Sequence, residues 1–181
     1  MMPMMRLRLL LASFCAALLA GCASAPPTPV ASAELHLPRW VQVHIVTPGQ
    51  PDEDAMLAVQ DEGQGATRWL LFDPLGMPRA RQILQDGKWR NDGFMRPNGQ
   101  ASDMFSAILF AWTPEQSLAS AYAGSDWQSQ PTPAGGRSRT LDQDCSPRWT
   151  VTWAAQAPDD TFSIHKPDGT VLAISPLKNT P

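Results

Sequence analysis

Cysteine and histidine are scarce in this sequence of 181 residues, and each shortage argues against a kind of site. The three cysteines are Cys15, Cys22 and Cys145, and the three histidines stand far apart without H-x-x-H or H-E-x-x-H spacing. Neither a disulfide framework nor a zinc motif is therefore indicated. No G-x-S-x-G motif occurs, and Gly135-Gly136 precedes a predicted strand, whereas a phosphate-binding glycine loop precedes a helix. We expect a protein that is not an enzyme and needs no metal or cofactor.

Clusters of basic residues are missing as well. Lys and Arg number 14 against 17 Asp and Glu, which gives a formal net charge of −3. A mildly acidic chain without a basic cluster argues against a nucleic-acid partner. The acidic stretches at 52–54 and 159–160 fall in predicted turns and indicate solvated loop charges. His44 and His165 fall on predicted strands, where a surface or hydrogen-bonded histidine is expected rather than a metal ligand.

The long apolar run of this sequence lies at the N-terminus. It covers residues 9–19 after Arg6 and Arg8, which is too short to span a bilayer but suits the core of a signal peptide. The next stretch, "LAGC" at residues 19–22, closely resembles the lipobox of bacterial lipoproteins, in which the cysteine is acylated and becomes the new N-terminus. We therefore predict that residues 1–21 are a lipoprotein signal peptide. The alternative is an ordinary signal peptide followed by a chance cysteine.

Acylation of Cys22 would anchor the chain in a membrane, because several acyl chains hold far more firmly than one. Ala23 follows it, instead of the aspartate that resembles an inner-membrane retention signal. We therefore expect the outer membrane of a bacterial cell, with the domain facing the periplasm. Loss of 21 residues leaves 160, and because those 21 contain two arginines and no acid, the formal net charge falls from −3 to −5. This length is enough for one domain with its own core.

The mature chain divides by composition. Residues 22–38 are small, proline-rich and uncharged until Glu34, which predicts a flexible tether; residues 39–177 form the predicted domain and 178–181 a tail. Cys145 has no other cysteine to pair with inside the domain, so no disulfide is expected. We expect Cys145 to be a buried apolar side chain, and the alternative is a reactive thiol.

Apolar patterns predict strands on both sides of a helical block. Residues 102–112 carry apolar side chains at helical spacing and predict one helix. Thr113 as N-cap and Gln116 at the capping-box position predict a second helix at 114–122. The segment "QSQPTPAGG" at 128–136 is predicted as a loop, and both helices should lie on a largely antiparallel sheet. Strands are expected at 39–46, 54–60, 66–72, 77–84, 88–94, 137–142, 148–155, 161–166 and 170–176.

Seven tryptophans supply much of the apolar surface of the chain. Alternation in "RWTVTWAA" places Trp149 and Trp153 on one face of a strand. In the first helix, Ile108, Leu109 and Trp112 should face the sheet. Two interpretations stay open at this point: these side chains fill a packed core, or they line a hydrophobic cavity under a curved sheet.

The order of these elements resembles the LolB family of outer-membrane lipoprotein receptors, and more closely a family of LolB-like lipoproteins often encoded with aryl-polyene lipid biosynthesis. The resemblance covers about residues 39–177 and rests on the lipobox and tether, the strand–"DPLG"–strand unit, the "AILFAWTPEQSLASAY" block and the closing "TFSIHKPDGTVLAIS". It implies a mainly β, α+β fold, an incomplete antiparallel β-barrel as in LolA and LolB, with a helical lid over an apolar cavity. The chain departs from the family in a short segment before the helices and a proline-rich loop at 124–136.

The resemblance also implies a function. LolB-type proteins receive acylated lipoproteins from the soluble carrier LolA, and an exposed leucine in an "NPLG" loop helps to place the client in the membrane. Asp73-Pro74-Leu75-Gly76 matches that loop, so Leu75 is the expected contact with the membrane or with a carrier. The alternative is that the turn folds back and Leu75 packs on the rim.

Three functions without catalysis follow. A transfer module would bind the acyl chains of a lipoprotein or lipid in its cavity and deliver them to the outer membrane, with a LolA-like periplasmic carrier as partner. A binding module would hold a free lipid or an aryl-polyene intermediate for an export system. A structural or accessory lipoprotein of such a system would act through protein contacts. The candidate cavity lining is Ile108, Leu109, Trp112, Trp149 and Trp153.

Overall fold

The computed structural model describes residues 25–31, 34–93 and 98–177. The predicted signal peptide, the predicted lipidation site Cys22 and the predicted tail 178–181 lie outside these ranges. Within them the chain forms ten strands and two helices. The strands are β1 (Arg39–Val46), β2 (Glu53–Gly63), β3 (Ala66–Phe72), β4 (Pro78–Gln85), β5 (Lys88–Asn91), β6 (Asp126–Pro131), β7 (Arg137–Gln143), β8 (Ser146–Trp153), β9 (Phe162–His165) and β10 (Val171–Pro176); the helices are α1 (Gly99–Trp112) and α2 (Glu115–Ala121).

All of these strands join one antiparallel sheet in the order β5-β4-β3-β2-β1-β10-β9-β8-β7-β6. Each half is a five-stranded meander in which neighbours in sequence pair with each other, and the halves meet where Val43 of β1 faces Ile174 of β10. β5 and β6 form the two edges, so over the described residues the sheet is not closed. The prediction of a mainly β, antiparallel α+β fold with two helices between two sets of strands is confirmed.

β6 corrects the prediction that 128–136 is a loop. Residues 128–131 belong to this strand, which pairs with β7 from Asp126 opposite Asp142 to Pro131 opposite Arg137. Most of its side chains are exposed, because it is an edge strand. Because both faces of β6 are largely exposed, its sequence shows no apolar alternation. Proline is tolerated at a sheet edge. The composition of this strand is therefore similar to that of a loop.

α1 lies inside the curve of the sheet. Every residue from Phe105 to Trp112 is buried, so the helix presents no solvent face over its last two turns. Trp69 of β3 contacts Phe105 with ring centroids 5.4 Å apart, and Trp149 of β8 lies 6.3 Å from Phe110. β3 and β8 are each third from opposite edges, so contact of both with one helix requires the sheet to bend around it. The prediction that this helix lies on the sheet with its apolar side inward is confirmed.

The junction between the helices departs from the predicted capping box. Asn98 caps α1, because its Oδ1 accepts a 3.1 Å hydrogen bond from the Ala101 amide. Thr113 does not cap α2; its hydroxyl donates to Leu109 O at 2.8 Å and completes the last turn of α1. α2 starts after Pro114 without a side-chain cap. Thr113 is buried, and Leu109 O accepts hydrogen bonds from both its hydroxyl and, at 3.0 Å, its backbone amide.

The described part of the predicted tether packs on the domain. We call residues 25–31 and 34–38 the N-terminal strap. Leu35 is 8 % exposed and belongs to the core, and Leu37 packs against that core. Burial of these apolar side chains is favourable, so the prediction that 22–38 is flexible throughout is corrected.

Polar contacts hold the strap as well. Thr28 Oγ1 donates to Gly87 O in the β4–β5 turn at 2.6 Å. The Val30 amide donates to Ala121 O, at the end of α2, at 2.7 Å. The strap therefore joins the β4–β5 turn to the helical layer.

Candidate functional site

The β3–β4 turn is held in one conformation by Asp73. Its carboxylate accepts hydrogen bonds from the amides of Leu75 at 2.9 Å and Met77 at 2.8 Å. The Gly76 amide donates to Asp73 O, and the Asp73 amide donates to Met77 O, both at 2.9 Å. Gly76 has φ +81°, which glycine adopts without steric cost. The result is a three-residue hairpin loop, a tight turn followed by a left-handed glycine.

Leu75 and Met77 project from this turn into solvent. Leu75 is 89 % exposed and Met77 is 62 % exposed. We call these two residues the apolar tip. The alternative in which Leu75 packs on the rim is wrong, because the turn holds this residue at its outermost position.

Two other hairpins use the same turn, β6–β7 at 132–136 and β9–β10 at 166–170. Each has proline in the second position, a glycine of positive φ in the fourth, and the same two backbone hydrogen bonds, at 2.9 and 3.0 Å. The central residue is Ala134 in one and Asp168 in the other. The turn therefore does not require an apolar residue at its centre, and Leu75 needs another explanation.

The five residues predicted to line a cavity lie in one core and are closely packed. Trp149 and Trp153 share the buried face of β8, as alternation predicted. Trp112 stacks on Trp69 with ring centroids 5.7 Å apart. In this conformation α1 occupies the space under the sheet. The exposed fractions are 0 % for Ile108, 2 % for Leu109, 6 % for Trp112, 0 % for Trp149 and 3 % for Trp153.

Two cavities border this core. The larger, about 620 Å³, lies between the strap, the β2–β3 turn and the β4–β5 turn, and Leu109 forms part of its wall. The smaller, about 420 Å³, lies beside the end of β8 and includes Trp153. Ile108, Trp112 and Trp149 line neither of the two. Of the five predicted lining residues, Leu109 and Trp153 border these two cavities.

Asp103 fastens the first half of α1 to the sheet. It is 6 % exposed, and its carboxylate accepts hydrogen bonds from Arg148 Nη2 at 2.6 Å and Nε at 3.0 Å. Lys166 Nζ lies 2.8 Å from its other oxygen. Arg148 belongs to β8 and Lys166 to the β9–β10 turn, so two parts of the sheet hold one helical carboxylate. The sequence did not predict the contacts of Asp103 with Arg148 and Lys166, because these residues are far apart in the chain.

Arg139 of β7 fastens the end of α1. It is 2 % exposed and donates to Phe110 O at 2.8 Å, Thr113 O at 2.9 Å and a Glu115 carboxylate oxygen at 2.8 Å. The carbonyls at a helix end lack helical partners and carry negative partial charge, so a cation satisfies them. Burial lowers the pKa of Arg139, and Glu115 opposes that shift. The sequence contained one signal for this role, since alternation puts Arg139 on the same face as Leu141.

The structure also places the candidate cysteine, histidine and acidic side chains. Cys145 is exposed at a two-residue β7–β8 turn with φ +62°, so the expectation of a buried side chain is wrong. His44 Nδ1 lies 2.9 Å from Asp54 Oδ1, so the interpretation of this residue as a surface, hydrogen-bonded histidine is confirmed. Asp54 belongs to β2, as the predicted strand at 54–60 had it, and Glu53 belongs to β2 as well, so the assignment of the whole acidic stretch 52–54 to a turn is corrected. Within the described ranges no group of three or more His, Cys, Asp or Glu residues could hold a metal ion.

Comparison with protein-family models and with curated proteins gives no match for this chain. In the part of the chain that the structure describes, no helix has both the length and the apolar character needed to cross a membrane. The geometry of the apolar tip and of α1 is therefore the basis for a functional proposal.

Proposed function

We propose that this protein is a lipid-anchored receptor of the bacterial outer membrane that takes acyl chains from a soluble periplasmic carrier and delivers them to the membrane. In this proposal the fold is an incomplete β-barrel of the LolB type, and α1 and α2 form its lid. The client is an acylated lipoprotein or lipid, and the carrier resembles LolA. The apolar tip carries the proposal, because Leu75 stands 89 % exposed in a turn that does not require it. Exposed apolar groups on a rigid turn favour contact with an apolar partner.

Acyl chains would occupy the place that α1 fills. Displacement of α1 exposes an inner sheet face that carries Trp69 and Trp149, both fully buried in this conformation. Transfer needs no covalent step, because burial of acyl surface is favourable by about 25 cal/mol per Å². The polar contacts of Asp103 and Arg139 would have to break when α1 leaves, so they set how readily the lid opens.

Leu75→Asp tests the role of the apolar tip. Ala134→Asp is the matched control, because it places the same carboxylate at the same position of the β6–β7 turn. Asp168 occupies that position naturally, so both variants should keep the free energy of unfolding within about 0.5 kcal/mol of the wild type. Leu75→Asp should lose delivery of an acylated lipoprotein from carrier to liposomes, because a carboxylate opposes entry into an apolar region. Ala134→Asp and Leu75→Phe should retain it.

Equal delivery by all three variants would remove the apolar tip from the mechanism. Parallel losses of delivery and of stability in Leu75→Asp would assign Leu75 to the fold. The anchor is tested separately by the intact mass of the mature chain, which should begin at an acylated Cys22. A mature N-terminus without acyl groups would contradict the anchoring.

A second function is favoured by the filled interior. If α1 stays in place, the protein acts as an accessory lipoprotein of an aryl-polyene or other lipid export system through protein contacts. Close contacts such as those of Phe105 with Trp69 support a fixed helix. Native mass spectrometry of detergent-free protein separates the two functions. Co-purified lipid supports the receptor, or a module that stores free lipid, whereas a protein without lipid supports the accessory function.

A further inference from the structure

The outer face of β4 and β5 carries lysine and arginine side chains that are not adjacent in the sequence. Alternation turns Ala80, Leu84 and Trp89 toward the core, so the residues between them point outward. Within 78–91 the only acidic residue is Asp86. The sequence showed no basic cluster because inward-facing residues separate the cations. We call these four exposed residues the basic face: Arg79 and Arg81 of β4, and Lys88 and Arg90 of β5.

Half of the basic face is not neutralised by a carboxylate. Arg79 and Arg81 each form an ion pair with an acidic side chain. Arg90 Nη2 donates instead to the neutral amide oxygen of Gln85 at 2.6 Å. Among the described residues, no carboxylate forms an ion pair with Lys88 or Arg90. Glu53 and Asp92 are the partners of Arg79 and Arg81. The positive charge of this face therefore comes from Lys88 and Arg90, and Asp86 in the turn before Lys88 offsets part of it.

The basic face lies between the apolar tip and the docked strap. β4 runs from Pro78, beside the tip, to Gln85, and eight residues in a strand cover about 23 Å. Beyond Gln85, Thr28 of the strap is bonded to Gly87 O. The chain from Cys22 to Thr28 extends at most about 21 Å, whatever its path. That reach is about the length of β4, so the proposed anchor meets the bilayer within roughly one strand length of Gly87, while the apolar tip stands at the opposite end of β4.

We propose that the domain lies along the bilayer on its basic face, with the apolar tip inserted at one end of β4 and the acyl anchor held within reach of the same surface by the strap docked at the other end. The partner is a membrane surface that presents anionic phospholipid headgroups. Lys and Arg near such a surface are attracted to it, and apolar side chains enter the boundary between headgroups and acyl chains. The inference rests on the membrane anchoring proposed above. If the domain instead stood upright on its strap, the tip would point away from the bilayer.

Hydrogen exchange of the acylated full-length protein in vesicles tests this orientation. One set of vesicles contains about 30 % phosphatidylglycerol in phosphatidylcholine, and the other contains phosphatidylcholine alone. Peptides that cover 73–91 should exchange about tenfold more slowly in the anionic vesicles, and about 0.5 M NaCl should abolish the difference by screening. Peptides that cover the β7–β8 turn at 144–145 should not change.

Two variants sharpen this test. Lys88→Glu with Arg90→Glu should abolish the protection, whereas Arg137→Glu should keep it, because Arg137 lies on β7 in the other half of the sheet. Equal protection in neutral vesicles, or none in either set, would overturn the inference. Protection that appears only with an added carrier protein would also overturn it, because the face would then bind a protein. The assay contains no client, so its result stands apart from that of the delivery assay.

Discussion

Arg139 is the buried cation whose hydrogen bonds hold the end of α1. Arg139→Leu should lower the free energy of unfolding by about 3 kcal/mol, because it leaves two buried helix carbonyls without their donor, whereas Glu115, 53 % exposed, can be solvated by water. Arg137→Leu is the matched control on the same strand; its side chain is 43 % exposed, so its ion pair is worth at most about 1 kcal/mol. Urea unfolding of both variants measures the difference. Equal costs would mean that the buried contacts of Arg139 do not stabilise the fold.

His44 is a surface histidine whose charge depends on pH near neutrality. Its hydrogen bond with Asp54 is the main cause of a pKa raised above the ordinary 6.5, and Asp52, 3.6 Å away, adds to it. Because the folded-state pKa is raised, this pair stabilises the fold fully below about pH 6.5 and ceases to do so as pH rises through the folded-state pKa.

Asp54→Asn should therefore move the pKa of His44 back toward 6.5, as read by NMR titration of the imidazole. The same variant should be less stable than the wild type at about pH 5.5 and equally stable at about pH 8. Asp52→Asn is the control and should shift the pKa less, because Asp52 is the more distant partner. An unchanged pKa in Asp54→Asn would contradict the assignment.

α1 is the element that must move if the receptor function holds. Amides of residues 105–112 should exchange faster with deuterium when an acylated lipopeptide is added, because an acyl chain takes the place of the helix. Amides of β1 and β10, at the centre of the sheet, should keep their exchange rates. The same peptide without acyl groups is the control. If α1 stays equally protected with both peptides, the accessory function is supported instead.

Strands and helices with a clear apolar period were predictable. β1 and β3 have the predicted bounds, and α1 ends at the predicted Trp112. β6 was not predictable, because an edge strand with exposed side chains shows no period. The role of Thr113 was not predictable either. As an N-cap its hydroxyl would accept from an amide of α2, whereas here it donates to Leu109 O, and the packing of the two helices decides between these roles.

The site was predictable where it depends on neighbours in sequence. Asp73, Pro74 and Gly76 determine the turn, so the exposure of Leu75 follows from local chemistry. The contacts of Asp103 and Arg139 depend on the register of strands that are distant in the chain, whereas the basic face depends on which residues of the β4–β5 hairpin point outward. Hydrophobic patterns predict which face is buried but not which polar groups meet across the sheet.

At the scale of the whole molecule, the folded domain includes the N-terminal strap, because Leu35 belongs to the core. Leu35→Ala should lower the free energy of unfolding by about 2 kcal/mol, because Leu35 is 8 % exposed and its removal opens space in the core. Val30→Ala is the control within the same strap; its side chain is 71 % exposed, so the change should stay within about 0.5 kcal/mol. Urea unfolding checks both. If Leu35→Ala leaves the free energy of unfolding unchanged, the strap is a free tether and does not stabilise the domain.

The turns at 73–77, 132–136 and 166–170 share one backbone geometry, so the fold does not dictate which residue stands at their centre. The central position of these turns holds leucine, alanine and aspartate within one molecule. Substitutions at this position should therefore affect binding at the surface and hardly affect folding. A saturation library at residue 75, selected for delivery in living cells, would rank amino acids by interface preference alone. The same library at residue 134 would supply the neutral background, and the difference between the two rankings would describe the side-chain chemistry that delivery requires at this tip.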